Sequence, residues 1–161
     1  LGSSGLHTNG YSLARKIVFD AMGLEVGDVI PGLERTVADA LLAIHRSYLP
    51  SLRPLLERGV LHGLAHITGG GIPGNLTRTL QEGQGAVIRK ESWEIPTLFR
   101  VLQKGGGVDG AEMFRAFNMG VGMIAITAPQ DASNVADELA AAGETSWILG
   151  EVVEGRGVDF R

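Results

Sequence analysis

The sequence predicts a single α/β domain over residues 1–161, in which helices cover a mixed sheet. Short apolar runs typical of strands alternate along the chain with longer runs whose apolar residues recur at helical spacing. A chain of 161 residues can bury roughly two thirds of its unfolded surface in one core. Glycine is abundant at 24 residues, but the chain is 44% hydrophobic and only 20% charged, which indicates an ordered protein. The excess glycine therefore belongs to tight turns and functional loops.

Three helices are predicted in the first part of the chain. Thr36 can cap the second helix, Pro50 separates the second from the third, and Gly59 ends the third. The loop from 25 to 33 is the best candidate for a mobile segment. The apolar faces of the three helices are formed by Leu13, Ile17, Ala21 and Leu24, by Val37, Leu41 and Ile44, and by Leu52, Leu55 and Leu56.

The rest of the chain predicts strands and helices in alternation, which favours a split βαβ arrangement. Gly105–Gly107 and Gly143 each stop a helix, and Asp109 with Glu112 three residues later resembles a capping box. The predicted elements are a strand from Val60 to Ile67, a helix from Asn75 to Leu80, a strand from Gly85 to Arg89, helices from Pro96 to Gln103 and from Ala111 to Phe117, a strand from Val121 to Thr127, a helix from Asp131 to Ala142 and a strand from Trp147 to Val153.

Composition excludes several classes of function. The net charge is -4 and no run of Lys or Arg exceeds two residues, so neither nucleic acid nor an anionic membrane is an expected partner. No apolar stretch approaches the roughly 18 residues of a membrane span, and no signal peptide opens the chain, so a cytoplasmic location is expected. The absence of cysteine excludes disulfides and thiolate metal sites. Acidic residues occur singly, so we expect no metal site built by this chain.

The run from His66 to Asn75 carries three consecutive glycines between an apolar stretch and a predicted helix. Glycine can adopt positive φ and lets backbone N–H groups approach a ligand closely, and a helix N-terminus adds partial positive charge. An anionic group is the expected ligand. The alternative is that Gly69, Gly70 and Gly71 form only a tight connection.

Two further segments are rich in neutral polar groups. The segment from Ser3 to Ser12 combines hydroxyls, an imidazole and an amide before the first helix, where Ser12 can act as a cap. Such groups suit phosphate or ribose oxygens, although a frayed terminus or an expression-tag remnant would look similar. The segment from Phe117 to Met123 places Asn118 and two glycines before an apolar strand.

Together, these three segments resemble the family of phosphoribosylformylglycinamidine cyclo-ligases, also called aminoimidazole ribonucleotide (AIR) synthetases. The family's SSG-L-H-[ST]-N-G-Y-S block corresponds to Ser3–Ser12, its H-[IL]-T-G-G-G block to His66–Gly71, and its F-N-x-G-V-G-M block to Phe117–Met123. The connecting pieces Ala38–Leu42, Ser92–Glu94 and Glu112–Arg115 are also similar. The resemblance covers nearly the whole chain but only the C-terminal half of that enzyme.

One segment departs from the family pattern. Where the family usually has Leu-x-Pro-Thr-Arg-Ile-Tyr, the chain reads from Leu42 to Tyr48 as Leu-Ala-Ile-His-Arg-Ser-Tyr. No role is therefore carried over to this segment. His45 within it, and His62 in the strand that follows, are expected to be ordinary packed or exposed histidines.

The resemblance implies the fold of the AIR synthetase C-terminal domain, which is partly ferredoxin-like. It implies ATP-dependent ring closure of formylglycinamidine ribonucleotide, in which the formyl oxygen is phosphorylated and a substrate nitrogen then displaces phosphate. ATP and Mg²⁺ would be held mainly by an N-terminal domain that this chain lacks, so the chain alone would be inactive. A homodimer is also implied.

The site residues implied by the resemblance lie in the three shared segments. His7 and His66 are the candidate catalytic residues, because a histidine beside a glycine or amide cluster can bind phosphate or move a proton near neutral pH. Asn75 is expected to cap a helix. The candidate substrate- or phosphate-binding residues are Ser4, Thr8, Asn9, Thr68, Gly69, Gly70, Gly71 and Asn118.

Two alternatives remain open at this point. The chain could be the C-terminal domain of a related ATP-using enzyme, such as formylglycinamidine synthetase, a selenophosphate synthetase or a hydrogenase-maturation protein. It could also be a noncatalytic ligand-binding or assembly domain in which the glycine loops shape a protein interface. The blocks at His7–Gly10 and Phe117–Met123 match the cyclo-ligase better.

Overall fold

A computed structural model describes residues 1–161 and confirms the predicted α/β class. Seven α-helices and five strands form the domain, and the strands divide between two sheets. In chain order the elements are α1 (Tyr11–Arg15), continued by a π-helix (Lys16–Ala21), α2 (Val37–Leu41), α3 (Leu49–Glu57), β1 (Leu61–His66), α4 (Gly71–Thr77), β2 (Gln84–Ile88), α5 (Thr97–Gly106), α6 (Gly110–Ala116), β3 (Met123–Thr127), α7 (Ala132–Ala141), β4 (Gly150–Glu154) and β5 (Gly157–Phe160).

The first sheet pairs β1 with β3 in antiparallel orientation, with His66 opposite Met123. Its two faces are covered by different layers, because side chains alternate along a strand. Leu64 belongs to the core cluster formed with α3 and α7, whereas Ala65 belongs to the cluster formed with α4 and the second sheet. The sheet is therefore covered on both faces.

The second sheet is mixed, in the order β4-β2-β5. Strand β2 is antiparallel to β4 and parallel to β5. The predicted strand from Trp147 begins later, at Gly150, and the short strand Gly157–Phe160 was not predicted. The mixed sheet expected from the sequence is present, but it is separate from the β1–β3 pair.

A third core lies among helices. Fourteen buried residues pack together, including Phe99 and Phe117; they come from the N-terminal segment, α1, the π-helix, α2, α5, α6, the loop before α2 and the segment after α6. The predicted cap of α2 is confirmed, because the Thr36 hydroxyl accepts a hydrogen bond from the Asp39 N–H at 3.1 Å. The expectation that Ile44 continues this helix face is wrong, because α2 ends at Leu41 and Ile44 is 91% exposed.

Two other local predictions are corrected. Asp109 caps α6 by accepting from the Ala111 N–H at 2.8 Å, but Glu112 pairs with Arg115 instead of closing a capping box. The helix predicted from Asn75 begins earlier, at Gly71, because the left-handed conformation of Gly70 turns the chain directly into α4. None of the helices is long and apolar enough to cross a membrane.

Candidate functional site

The N-terminal segment is held against the end of the β1–β3 sheet by the buried side chain of Asn118. Its Oδ1 accepts from the Ser3 hydroxyl at 2.9 Å and from the Gly120 N–H at 2.8 Å, and its Nδ2 donates to the Gly5 carbonyl at 2.8 Å. Asn118 is only 1% exposed. These three bonds give it the loop-ordering role that asparagine in such turns often has.

The glycine loop lies beside this segment, at the end of β1. Gly70 adopts a φ of 94° and caps α4, and Gly71 also has a positive φ, whereas Gly69 does not. The N–H groups of Gly69 and Gly70 donate to no acceptor within the protein. A Cβ built on Gly69 would lie 3.8 Å from Cβ of Asn9, so the two segments lie side by side.

Two residues of the loop have structural roles that differ from the sequence expectation. Gly71 has a φ of 61°, and a Cβ there would overlap the carbonyl of Phe114 on α6, so this glycine allows close backbone packing. Asn75 does not cap a helix. It lies within α4, and its Nδ2 donates to the carbonyls of Thr68 at 3.2 Å and Gly71 at 2.8 Å, which fixes the loop.

Three histidines from distant parts of the sequence meet at this site. The ring centroids of His7 and His45 are 4.1 Å apart, and those of His7 and His66 are 5.0 Å apart. Nε2 of His45 lies 3.1 Å from Nε2 of His66. Nδ1 of His7 donates to the Ile67 carbonyl and Nδ1 of His45 to the Arg46 carbonyl, both at 2.7 Å. We call His7, His45 and His66 the histidine cluster.

Two histidines of the cluster, His7 and His66, have lowered pKa values. Burial lowers the pKa of His7 to about 4, against a weaker opposing effect of its hydrogen bond to Ile67, and the neighbouring His45 and His66 lower it further. Burial, followed by the nearby charge of His45, also lowers the pKa of His66. Since His7 is only 1% exposed, it is a neutral side chain at physiological pH.

The segment that carries His45 is fixed by its neighbours. Arg46 donates to Glu144 at 2.7 Å, and Ser51 donates to the same carboxylate at 2.6 Å. The Tyr48 hydroxyl donates to the Gly2 carbonyl at 2.9 Å, and burial raises the pKa of Tyr48 to about 12. A Cβ at Gly122 would overlap the Tyr48 hydroxyl and crowd His7, which explains why the segment after Asn118 needs glycine there.

Three buried polar atoms of the N-terminal segment have no partner in the protein. They are the Ser4 hydroxyl, Nε2 of His7 and Oδ1 of Asn9, whose Nδ2 donates to the Ala116 carbonyl at 2.7 Å. Buried polar groups are normally paired, so unpaired ones at one site indicate a ligand or water. All three belong to residues named from the sequence.

The structure brings together His7, Asn9, His66 and the glycine loop. Thr8 is exposed in the same segment. The Thr68 hydroxyl donates to Oδ1 of Asn75 at 3.3 Å, so its hydrogen is used within the glycine loop. His45 was missed by the sequence analysis. The only available signal was that it lies in the segment that departs from the family pattern.

The metal-binding capacity of the site is limited to imidazole nitrogen. The histidine cluster is the one group of three or more potential metal ligands in the structure, and it contains no carboxylate. Mg²⁺ prefers oxygen ligands, so these residues do not form a Mg²⁺ site.

A separate cavity of about 730 Å³ between the two sheets and α7 is mostly apolar and contains none of the predicted site residues.

Comparison with known proteins identifies the relatives of this chain. A profile of the family described as "AIR synthase related protein, C-terminal domain" matches residues 1–161. The chain is 46% identical over 154 residues to a phosphoribosylformylglycinamidine cyclo-ligase of Citrifermentans bemidjiense, covering 96% of the chain and 44% of the relative. It is 45% identical over 162 residues to one of Sorangium cellulosum, covering 99% and 47%. The chain thus spans a little less than half the length of these curated relatives.

Solved structures support the fold. Thiamine-monophosphate kinase of Stenotrophomonas maltophilia matches with a TM-score of 0.65 at 15% identity, over 99% of this chain and 48% of that one. The Escherichia coli protein HypE matches with a TM-score of 0.56 at 21% identity, over 71% and 35%. At such low identity, these two structures show a shared fold only.

Proposed function

The chain belongs to the family of AIR synthase related proteins, as its C-terminal domain, and from this premise we propose that it forms the substrate-binding wall of a phosphoribosylformylglycinamidine cyclo-ligase. Identity of 43–46% to curated enzymes of that name supports this activity over the related synthetases. Because the chain spans less than half of those enzymes, the proposal includes an N-terminal portion that completes the site. The homodimer and the cytoplasmic location are part of the same proposal.

The observation that carries the proposal is the set of unsatisfied polar groups at the site. The N–H groups of Gly69 and Gly70 are free to donate to anionic oxygens of the substrate's phosphate. Nε2 of His7 and Oδ1 of Asn9 are free, buried acceptors for N–H or hydroxyl groups of the substrate. The site therefore offers both free donors and free acceptors, which suits a ribonucleotide with an amidine group.

The residues of this chain contribute mainly by binding and orientation. Phosphoryl transfer depends on positioning and on stabilising charge, and the following ring closure requires the attacking nitrogen to lie against the activated formyl carbon. ATP, when bound, supplies the phosphoryl group. Neutral His7 accepts a hydrogen bond at Nε2 without carrying charge into the site, and its bond to Ile67 fixes the ring. The carboxylates for Mg²⁺ come, in this proposal, from the N-terminal portion.

The experiment is to join this chain to the N-terminal portion of a curated relative and to measure ATP-dependent formation of aminoimidazole ribonucleotide. Gly70→Val is the test variant and Gly83→Val the matched control. Both glycines have a similar positive φ, 94° and 82°, and neither Cβ would meet a close obstacle, so backbone strain is comparable. Gly83 lies in the turn before β2, away from the glycine loop.

We expect Gly70→Val to lower turnover about 100-fold or more, because displaced donors cost transition-state stabilisation directly. Gly83→Val should retain turnover once its fold is confirmed by circular dichroism. Equal activity of the two folded variants would show that the triplet is only a turn. A chimaeric enzyme that folds, contains the unaltered chain and forms no product would contradict the proposed activity.

A further inference from the structure

We propose that His7, His45 and His66 form a binding site for a divalent late transition-metal ion such as Zn²⁺. This site is separate in kind from the Mg²⁺ that accompanies ATP. Nε2 of His7 has one lone pair, which can bind either the metal ion or the substrate at one time, so the metal-bound chain and the substrate-bound chain are alternative states of the site. Its ligand nitrogens come from the N-terminal segment, the segment between α2 and α3, and the end of β1. No pair of these histidines is close in sequence.

The distances fit a site that closes on a metal ion. The ligand nitrogens lie within 4.8 Å of one another. Zinc binds imidazole nitrogen at about 2.0–2.1 Å in tetrahedral geometry, which places two ligand nitrogens about 3.3 Å apart. Nε2 of His45 and Nε2 of His66 are already 3.1 Å apart. Since His45 lies outside regular secondary structure and His66 is exposed, rotation of their side chains can bring both toward the buried His7.

The tautomers of two histidines are set for metal binding. A carbonyl oxygen can only accept, so Nδ1 carries the hydrogen in His7, which donates to Ile67, and in His45, which donates to Arg46. Each neutral ring then presents a lone pair at Nε2. Metal-bound histidines commonly donate their other ring nitrogen to a carbonyl in this way, which fixes the ring orientation.

A second observation is independent of these distances. Nε2 of His7 is buried, has no hydrogen-bond partner in the protein, and belongs to a side chain that is 1% exposed. An unpaired buried acceptor is costly, and a metal ion at the cluster would remove that cost. In the metal-free arrangement, the close contact of His45 and His66 is satisfied by His66 donating from Nε2.

The chemistry of the cluster selects a cation of a particular class. Three imidazoles without a carboxylate suit Zn²⁺, Co²⁺, Ni²⁺ or Cu²⁺ better than Mg²⁺ or Ca²⁺. An anion would find few donors, because two of the three rings use their N–H groups on carbonyls. The exposed side of His66 leaves a fourth coordination position open to water or to a ligand.

The experiment is calorimetric titration of the 161-residue chain with Zn²⁺ at neutral pH, after treatment with a chelator. The test variant is His45→Gln, which removes a partly exposed ligand from a loop and so leaves the core intact. The control variant is His62→Gln, because His62 is exposed on β1 and outside the cluster. Titration with Co²⁺, followed by its visible absorption, reports the coordination geometry.

We expect one Zn²⁺ per chain, an affinity lowered about 100-fold or more in His45→Gln, and an unchanged affinity in His62→Gln. The Co²⁺ complex should show the intense visible bands of a four- or five-coordinate ion. Absence of saturable Zn²⁺ binding, or equal affinity in the His45→Gln variant, would overturn the proposal. The proposal would also be overturned if the chain bound inorganic phosphate instead of Zn²⁺ and if that binding depended on His45. Each of these readouts is independent of cyclo-ligase turnover, so failure here leaves the proposed function open to its own test.

Discussion

Buried, neutral His7 should make the stability of the domain depend on pH. The unfolded chain protonates this histidine near its ordinary pKa of 6.5, whereas burial lowers the pKa of His7 to about 4 in the folded protein. Between these values the unfolded state binds more protons, so the free energy of unfolding decreases as the pH falls. A pKa lowered from 6.5 to about 4 corresponds to about 3 kcal/mol in the free energy of unfolding. This contribution is fully lost once the pH is below the pKa of His7 in the folded protein.

Urea denaturation at several pH values between neutrality and pH 4 measures this effect, followed by the fluorescence of the two tryptophans. The test variant is His7→Gln, which keeps an N–H to donate to the Ile67 carbonyl but does not titrate. Carboxylates titrate equally in both proteins, so the difference between the two pH profiles isolates His7. A chelator in every sample keeps the histidine cluster free of metal.

We expect the unaltered chain to lose about 3 kcal/mol more than His7→Gln over this range. His62→Gln, which replaces an exposed histidine, should behave like the unaltered chain. If the unaltered chain and His7→Gln lose the same stability, His7 is not held neutral by burial. Its assignment as a neutral acceptor at the site would then have to be withdrawn.

Two other substitutions test the packing around the site. Gly71→Ala should lower the free energy of unfolding by about 3 kcal/mol, because its Cβ would overlap the Phe114 carbonyl at a φ of 61°. Gly69→Ala is the control, because the nearest contact of its Cβ would be 3.8 Å away. In the same urea assay it should change the free energy of unfolding by less than about 0.5 kcal/mol. Burial alone would raise the pKa of Glu144, but hydrogen bonds from Ser51 and Arg46 hold that pKa below its ordinary value. Glu144→Gln should therefore cost about 1 kcal/mol at neutral pH. This cost should decrease as the pH falls below the ordinary pKa of 4.5 toward the lower pKa of Glu144 in the folded protein.

Local sequence signals predicted the elements that depend on local chemistry. The strand ending near His66 and the Thr36 cap follow from apolar patterning and from side-chain capping, and both are confirmed. The predicted start of α4 was wrong because Gly70, in the left-handed conformation, is the N-cap, and a sequence does not show which glycine of a triplet adopts that conformation. Strand Gly157–Phe160 was missed because its four residues form a strand through pairing with β2, far away in sequence.

From the sequence, only those site residues could be predicted that lie together in one segment. The N-terminal segment and the glycine loop were each recognisable from their composition. They come together because the elements that carry them pack side by side. His45 is different. It reaches His7 and His66 because Arg46 is held by Glu144 and Tyr48 by the Gly2 carbonyl, and nothing in the spacing of the histidines indicates those contacts.

The glycine triplet shows why one motif can carry several physical requirements. Gly71 is needed for close packing on Phe114, Gly70 for a left-handed turn into α4, and Gly69 has neither constraint. Their shared appearance in the sequence suggested a single anion cradle, but only Gly69 and Gly70 have N–H groups free to donate, because the Gly71 N–H donates to the Thr68 carbonyl at 2.9 Å. The proposed binding role therefore rests on the first two glycines, while the third packs against α6 and shapes the loop.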